Sequence, residues 1–396
     1  LITYQEALQI ILSHARSFGD ETVLLENADG RVLAEDIFAD RDYPPFNRST
    51  VDGYAINIEE WRAGLKNYRI AETIFAGNVS EVALASGQCY KIMTGASVPK
   101  SASAVIRRED VFEDSGSVTI NVENIEEQQN ISKQGEDAKK GDLILGQGLI
   151  CQPNVISILA SLGKGKVKVK RLPDVVLFTT GNEVKSIDSI PGPVEIRNSN
   201  KWLLTSLLKK LGIDVQRSEH ISDSREDLYS AIESGLDCDV MILCGGVSAG
   251  DADYVPETLE KLGVKKLFHK VAIKPGKPIW CGISPTGTMV FALPGNPFSC
   301  LITFKIFIEE YLRKCLGFSP RAVFTLPLTG GRTKKVPFDE FFPTKLAKDG
   351  KSLEQIAINS SGDIKLGLHA NSIALHPADR KQVESGESVS YFSLFT

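Results

Sequence analysis

The stretch that most constrains this chain is Val240 to Cys244, an unbroken apolar run closed at once by Gly245 and Gly246. Such a run predicts a strand buried on both faces, as in a parallel sheet with helices on each side. Two glycines directly after it let the backbone turn sharply and present N–H groups to an anion. Ser248, Asp251 and Asp253 follow in the same loop and add oxygen donors beside them. A site for a phosphorylated ligand and a divalent metal needs both kinds of group. Ligands of open α/β sheets also bind beyond the carboxyl ends of strands, where this loop would lie. An ordinary strand-to-helix loop with solvated acids accounts for the stretch equally well on its own.

The surroundings of that run repeat its pattern. Residues 173–317 alternate strand and helix signals, which implies an α/β sandwich with a parallel sheet covered on both faces. Asp174 to Phe178 reads as a strand leading into Thr180-Gly181-Asn182-Glu183. Asn200 would cap a helix carrying Leu203, Leu204, Leu207, Leu208 and Leu211 on one side, and Asp223 or Ser224 would cap the next. Val271 to Ile273 leads into Lys274-Pro275-Gly276-Lys277-Pro278, and Val290 to Leu293 leads into Pro294-Gly295-Asn296-Pro297. Strand ends in a parallel sheet face one side, so Glu183, Asp253, Lys274 and Lys277 should converge there. Each loop alone is a solvated turn. Together they favour a ligand site, with Asn296 and Pro297 opening a helix N-terminus to an anion.

The remaining segments differ in character. A chain of 396 residues should hold several domains, because single cores stop growing near roughly 250–300 residues. Thr3 and Glu6 form a capping box for an amphipathic helix over residues 3–18. Residues 40–141 read as a small β-rich domain of short alternating runs punctuated by Gly and Ser. Residues 142–168 return to an extended and then helical pattern, so the β-rich part looks inserted. Residues 318–396 read as a small β-barrel or sheet. The division is therefore 1–39 with 142–168, 40–141, 169–317 and 318–396. His369 and His376 read as core or surface histidines, and the seven cysteines as reduced core residues of a cytoplasmic protein. A net charge of −5 argues against nucleic-acid or anionic-membrane partners, and no apolar stretch is long enough to span a bilayer.

In order along the chain, these motifs resemble the MoeA family, the molybdopterin molybdenumtransferases, related to the E domain of gephyrin. They are residues 30–36 (Gly-Arg-Val-Leu-Ala-Glu-Asp), 44–46 (Pro-Pro-Phe), 51–55 (Val-Asp-Gly-Tyr-Ala), 93–96 (Met-Thr-Gly-Ala) and 135–137 (Gly-Glu-Asp). The series continues through 180–183, 245–248 with 253–254, 273–278 and 293–297. The resemblance implies four domains: an extended first domain in two segments, an inserted β domain, an α/β molybdopterin-binding domain and a C-terminal β-barrel. It implies insertion of molybdate into adenylylated molybdopterin with release of AMP, assisted by a divalent metal, usually magnesium. By motif, Asp52, Thr94 and Asp137 carry over as active-site residues of the β domain. By position alone they would be turn residues. The resemblance also implies a homodimer with each site built from two chains, and an adenylyltransferase as a possible further partner.

The implied chemistry suits the residues. Molybdate and phosphates are anions, so Lys274, Lys277, Gly245, Gly246, Ser248 and Asn296 are candidates to hold them. Carboxylates would repel those anions unless they hold a metal or protons. Glu183, Asp223, Asp251 and Asp253 are therefore candidate metal ligands, with Glu183 and Asp253 also candidates for acid/base work. The chain departs from the family at three places. The arginine usual before Gly-Glu-Asp is absent, leaving Ser132 and Lys133. The arginine usual before a Glu-Phe pair and the serine usual before Leu-x-x-Ala-Asn are missing from residues 338–341 and 365–371. A weakened paralogue serving as a molybdopterin-binding scaffold is therefore the alternative to an enzyme, and an adenylyltransferase is a third reading.

Overall fold

The computed structural model describes residues 1–247 and 254–394. The chain groups into two compact units. One holds residues 1–34, 150–152 and 166–396, and the other holds 35–149 and 153–165.

The first unit is built on a six-stranded sheet with Val240–Cys244 inside it. The strand order is 215–221, 175–180, 240–244, 289–293, 280–283, 265–269. Alternate residues of the central strands feed two cores. Val175, Leu177, Val240 and Ile242 face Leu204, Leu208, Phe298 and Phe304. Val176, Phe178, Met241 and Leu243 face Leu228, Ile232, Val255 and Leu259. Burial on both sides is why these strands read as continuous apolar runs. The sheet is mixed, which corrects the all-parallel expectation. Trp280–Ile283 runs antiparallel to both of its neighbours, Met289–Leu293 and Lys265–His269. Two reversals restore direction, so Lys265–His269 again points its carboxyl end the same way as the parallel strands.

The strand expected at 271–273 is instead a short pairing of Ile273–Lys274 with Asp339–Glu340, in parallel. That pairing ties the lysine turn to a closed barrel of five strands: Phe324–Thr329, Asp339–Leu346, Leu353–Gln355, Ser372–His376 and Ser388–Ser393. The barrel has its own core of Leu328, Phe342, Leu353, Ala374 and Val389. His376 is fully buried inside it, and burial pushes its pKa below the ordinary histidine value, with Lys334 and Arg332 adding to the effect.

The N-terminal helix is shorter than expected, Tyr4–Ser13, though its capping box forms as read. Ser13 Oγ donates to the Ile10 carbonyl and His14 Nδ1 lies 2.9 Å from it, which competes with another turn. Ala7 and Ile11 bury against the long helical stretch that starts at Pro297 and passes through a π turn at Phe304–Ile308. Asp20–Leu24 pairs antiparallel with Lys166–Lys170.

The second unit carries another six-stranded sheet, in the order 104–107, 53–56, 88–92, 67–74, 117–120, 111–114. It too has a core on each face, one around Tyr54, Ile56 and Tyr68 and one around Ala55, Tyr90 and Ile92. Pro153–Ser161 is the helix expected there, and Tyr43 Oη donates to the Ser161 carbonyl at 2.9 Å. Among the described residues no helix is long and apolar enough to cross a membrane.

On the long helical stretch, Lys305 and Glu309 form a pair 2.6 Å apart with both side chains buried, and Arg321 reaches the same carboxylate at 2.9 Å. Removing the carboxylate leaves a buried ammonium uncompensated, which costs about 3–5 kcal/mol. Glu309→Ala should therefore lower the unfolding free energy by that amount in chemical denaturation. A loss below about 1 kcal/mol, the worth of a surface pair, would mean that water reaches Lys305.

Candidate functional site

In the second unit the site is set by strand register. Gly53 pairs with Ile92, so Asp52, just before one strand, meets Thr94, just after the other. Asp52 Oδ1 accepts from both the Thr94 N–H and the Thr94 hydroxyl, each at 2.7 Å. Those donors, the hydroxyl first, hold the carboxyl below its usual range, with Arg108 assisting. The carboxylate therefore stays charged and exposed. Gly53 is required by close approach: a Cβ there would lie 2.0 Å from the Ile106 carbonyl oxygen. Asp137 stands on a separate turn, its N–H donating to the Tyr43 carbonyl at 2.9 Å. The turn is docked on the Pro44-Pro45 segment by the Gly135 N–H, which donates to the Pro44 carbonyl at 2.9 Å. Ser132, in place of the family's arginine, donates to Glu136, and Arg48 Nε reaches the Ser132 hydroxyl at 3.4 Å. A guanidinium thus stands beside this turn from another strand.

In the first unit the carboxyl ends of the sheet open into a cavity of about 910 Å³. Thr180, Glu183, Asn200, Asp223, Gly245, Gly246 and Asn296 all line it. Thr180 Oγ1 and Asn200 Oδ1 are buried there without a hydrogen-bond partner among the described residues. Unpaired buried polar atoms on a cavity wall suit a ligand that supplies donors. Gly245 sits at φ +104°, where a Cβ would meet the Thr180 carbonyl oxygen at 2.7 Å and its hydroxyl at 2.9 Å.

Three local expectations change. The Gly245 N–H donates to the Leu293 carbonyl at 3.0 Å, so it is spent on the sheet and does not face an anion. Asn198 caps the helix Ser199–Lys209, its Oδ1 accepting from the Lys201 N–H at 3.1 Å. Asn200, expected as that cap, instead donates to the Gly295 carbonyl at 2.6 Å and joins two loops. Asn296 occupies a cap position, but its amide donates to the Ser361 hydroxyl, and the Phe298 N–H is taken by the Ser361 carbonyl. That helix start is thus already partly satisfied by the barrel loop.

Ser224 caps the helix Arg225–Gly235, while Asp223 accepts from the Asn182 N–H at 3.0 Å and returns its own N–H to Asn182 Oδ1 at 3.1 Å. This exchange holds the 180–183 loop against the 222–224 loop and puts Glu183 and Asp223 on one wall. Two carboxylates are the right donor chemistry for a hard divalent cation, which takes several oxygens. Among the described residues no cluster of three metal-ligating side chains occurs. Ser248, Asp251 and Asp253 lie outside the described residues.

Lys274 and Lys277 line an adjoining cavity of about 740 Å³, between the lysine turn and the barrel. The two cavities share Pro278, Pro294 and Asn296. Lys274 Nζ lies 3.1 Å from Glu340 Oε1, and Arg332 reaches the same oxygen at 2.8 Å. Lys277 Nζ lies 5.6 Å from the centre of the Phe338 ring. Burial lowers the pKa of Arg332, and Glu340 opposes that shift. The sequence singled out neither Arg48 nor Arg332. Nothing in a linear motif signals them, because strand pairing alone brings each to its place.

Residues 2–163 match the family model for the MoeA N-terminal region (domain I and II), and residues 176–314 match that for a probable molybdopterin binding domain. A molybdopterin molybdenumtransferase of Staphylococcus epidermidis is 32% identical over 397 residues, covering 98% of this chain and 94% of that protein. One from Staphylococcus aureus is 32% identical over 398 residues with the same coverage. The crystal structure of a molybdopterin biosynthesis MoeA protein from Pyrococcus horikoshii covers 100% of this chain and 99% of its own, at 30% identity and a TM-score of 0.85.

The contact between Gly245 and Thr180 yields a test. A side chain at 245 has to push against backbone while holding a left-handed conformation, which costs about 1–3 kcal/mol for each effect. Gly245→Ala should therefore lower stability by at least about 2 kcal/mol in chemical denaturation. A stability equal to wild type would show that the strand end can open without cost.

Proposed function

This chain belongs to the MoeA family, the molybdopterin molybdenumtransferases, and we propose that it inserts molybdate into adenylylated molybdopterin with release of AMP. It is an enzyme of molybdenum cofactor biosynthesis. The observation that best supports the specific reaction is the pair of adjoining cavities at the carboxyl edge of the sheet. One carries carboxylates and unpaired polar atoms, and the other carries ammonium and guanidinium groups. A ligand with a pterin at one end and an anion at the other needs both kinds of wall.

In this reading Lys274 and Lys277 neutralise the oxyanion and orient it for transfer through charge-assisted hydrogen bonds. Thr180 and Asn200 accept hydrogen bonds from the pterin. Glu183 and Asp223 on the cavity wall, with Asp253, would hold magnesium, which would neutralise phosphate charge as the adenylyl group leaves. The tight Asp52–Thr94 pair keeps a charged carboxylate fixed on the other unit. The scaffold alternative is not favoured, since the relatives covering nearly the whole chain are named as transferases.

Incubation with adenylylated molybdopterin, molybdate and magnesium should release AMP in step with molybdate uptake. Asp253→Asn should fold normally and lose metal-dependent release by 10²-fold or more, the usual scale for an acid that holds an essential group. Full metal-dependent turnover in that variant would make Asp253 a plain loop residue.

We further propose a homodimer in which Asp52, Thr94 and Asp137 of one chain serve the site carrying Glu183, Asp253, Lys274 and Lys277 of its partner. The support is that these groups belong to different compact units. Asp52→Ala and Asp253→Ala chains, each inactive alone, should regain about a quarter of wild-type activity when refolded together, since half the dimers are mixed and each then holds one intact site. A dead mixture with confirmed subunit exchange would place all these residues within one chain's site.

A further inference from the structure

His220 is exposed on the edge strand of the six-stranded sheet, residues 215–221. Its ring is nevertheless engaged at both nitrogens. Strand register sets it beside Thr179, and Nδ1 lies 3.0 Å from the Thr179 hydroxyl. Nε2 lies 3.1 Å from the Gly181 carbonyl oxygen. A carbonyl only accepts, so in the neutral ring Nε2 carries the hydrogen and Nδ1 accepts. The neighbours agree with that assignment. Asn198 Oδ1 accepts from the Lys201 N–H, so its amide nitrogen is the end that donates to Thr179 Oγ1, at 2.7 Å. Thr179 Oγ1 then has its own hydrogen to give, and His220 Nδ1 receives it. The donors run in one direction, from the start of the helix Ser199–Lys209 to the Gly181 carbonyl.

That carbonyl closes the turn that carries Glu183. It also accepts from the Val184 N–H at 3.0 Å. Gly181 sits at φ +132°, and a Cβ there would lie 2.9 and 3.0 Å from the two Glu183 carboxylate oxygens. The carboxylate thus rests directly on Gly181, and a shift of the glycine shifts the acid. Asp223 holds the next residue, Asn182, through its N–H and its side chain, which leaves the orientation of the 181 carbonyl to other partners. An exposed imidazole adds little to a core, so packing does not account for this arrangement. What the ring fixes is one peptide group beneath an acid of the cavity wall.

We propose that His220 is a positioning residue of this enzyme: through the Gly181 carbonyl it sets where the Glu183 carboxylate stands, as the last member of the hydrogen-bond chain from Asn198 and Thr179. The proposal rests on the reading of that cavity as the place where adenylylated molybdopterin reacts.

Two conservative variants separate the two contacts of the ring. His220→Gln carries an amide nitrogen at the reach of Nε2 and keeps the Gly181 contact. His220→Asn reaches only as far as Nδ1 and keeps the Thr179 contact alone. With adenylylated molybdopterin, molybdate and magnesium, kcat for AMP release should fall about ten- to a hundred-fold in His220→Ala and His220→Asn, the scale on which loss of an orienting outer partner is felt. His220→Gln should stay within about threefold of wild type, since the Gly181 contact survives. In the full chain without substrates, amide hydrogen exchange over residues 181–185 should quicken about two- to tenfold in the Ala and Asn variants, as for loss of one hydrogen bond, and should not change in His220→Gln.

Both patterns together support the proposal. A His220→Gln protein as impaired as His220→Asn overturns it, as does wild-type kcat in all three variants or unchanged exchange beside a lowered kcat. Losses of kcat that follow the unfolding midpoint in denaturant, rather than the contact retained, mark a merely structural role and overturn it too. If His220→Ala does not fold, the Asn and Gln variants decide between them. A wild type that releases no AMP removes the functional reading, while the exchange measurement still decides whether His220 holds the turn.

Discussion

Burial of both faces of one strand is the constraint on which the larger unit depends. Val240–Cys244 has no exposed side, so helices must cover it front and back, and its neighbours must be equally apolar. Helical crossovers then return each parallel strand in the same direction. The loops after residues 180, 244 and 293 arrive at one edge as a result. Trp280–Ile283 breaks the parallel pattern, but a second reversal brings the loop after His269 to that edge as well. The site follows from topology before any side chain in it is chosen.

Much of this was legible in the linear sequence, for physical reasons that can be named. The apolar runs at 175–178, 240–244 and 290–293 are uninterrupted enough to admit one environment. The barrel strands at 341–346, 372–375 and 388–392 show through their turn residues. Thr3 and Glu6 announce their helix because a capping box is a local interaction, complete within four positions. Motif resemblance singled out Asp52 and Thr94, but nothing in the sequence showed that they pair. They lie 42 positions apart, and strand register alone joins them.

What escaped the sequence is mostly a matter of which partner a polar group finds. Asn198 and Asn200 are chemically identical candidates for one cap. Only the path of the chain out of Ile196–Arg197 decides between them. The N–H of Gly245 looks free in a glycine pair until the neighbouring strand offers the Leu293 carbonyl. Arg48 and Arg332 illustrate the same limit from the other side. The segments where the family usually has arginine, 130–133 and 338–341, hold none here, and a motif comparison records a loss. In three dimensions a guanidinium reaches both neighbourhoods from an adjacent strand. A missing motif residue is therefore weak grounds for inferring a missing charge.

The sharing of Glu340 between Lys274 and Arg332 has a consequence for how this protein can change over generations. The three residues come from two stretches nearly sixty positions apart, yet a single oxygen atom links them. A substitution at 340 that arrives alone strands the nearly buried Arg332, and such states are costly. Replacement of Arg332 alone leaves the carboxylate leaning on Lys274 and alters the turn that carries it. Descendants should thus retain the trio or exchange its members together, so that distant parts of the coding sequence are inherited as one unit. Relatives with a different residue at 332 should show their compensation at 338 or 340.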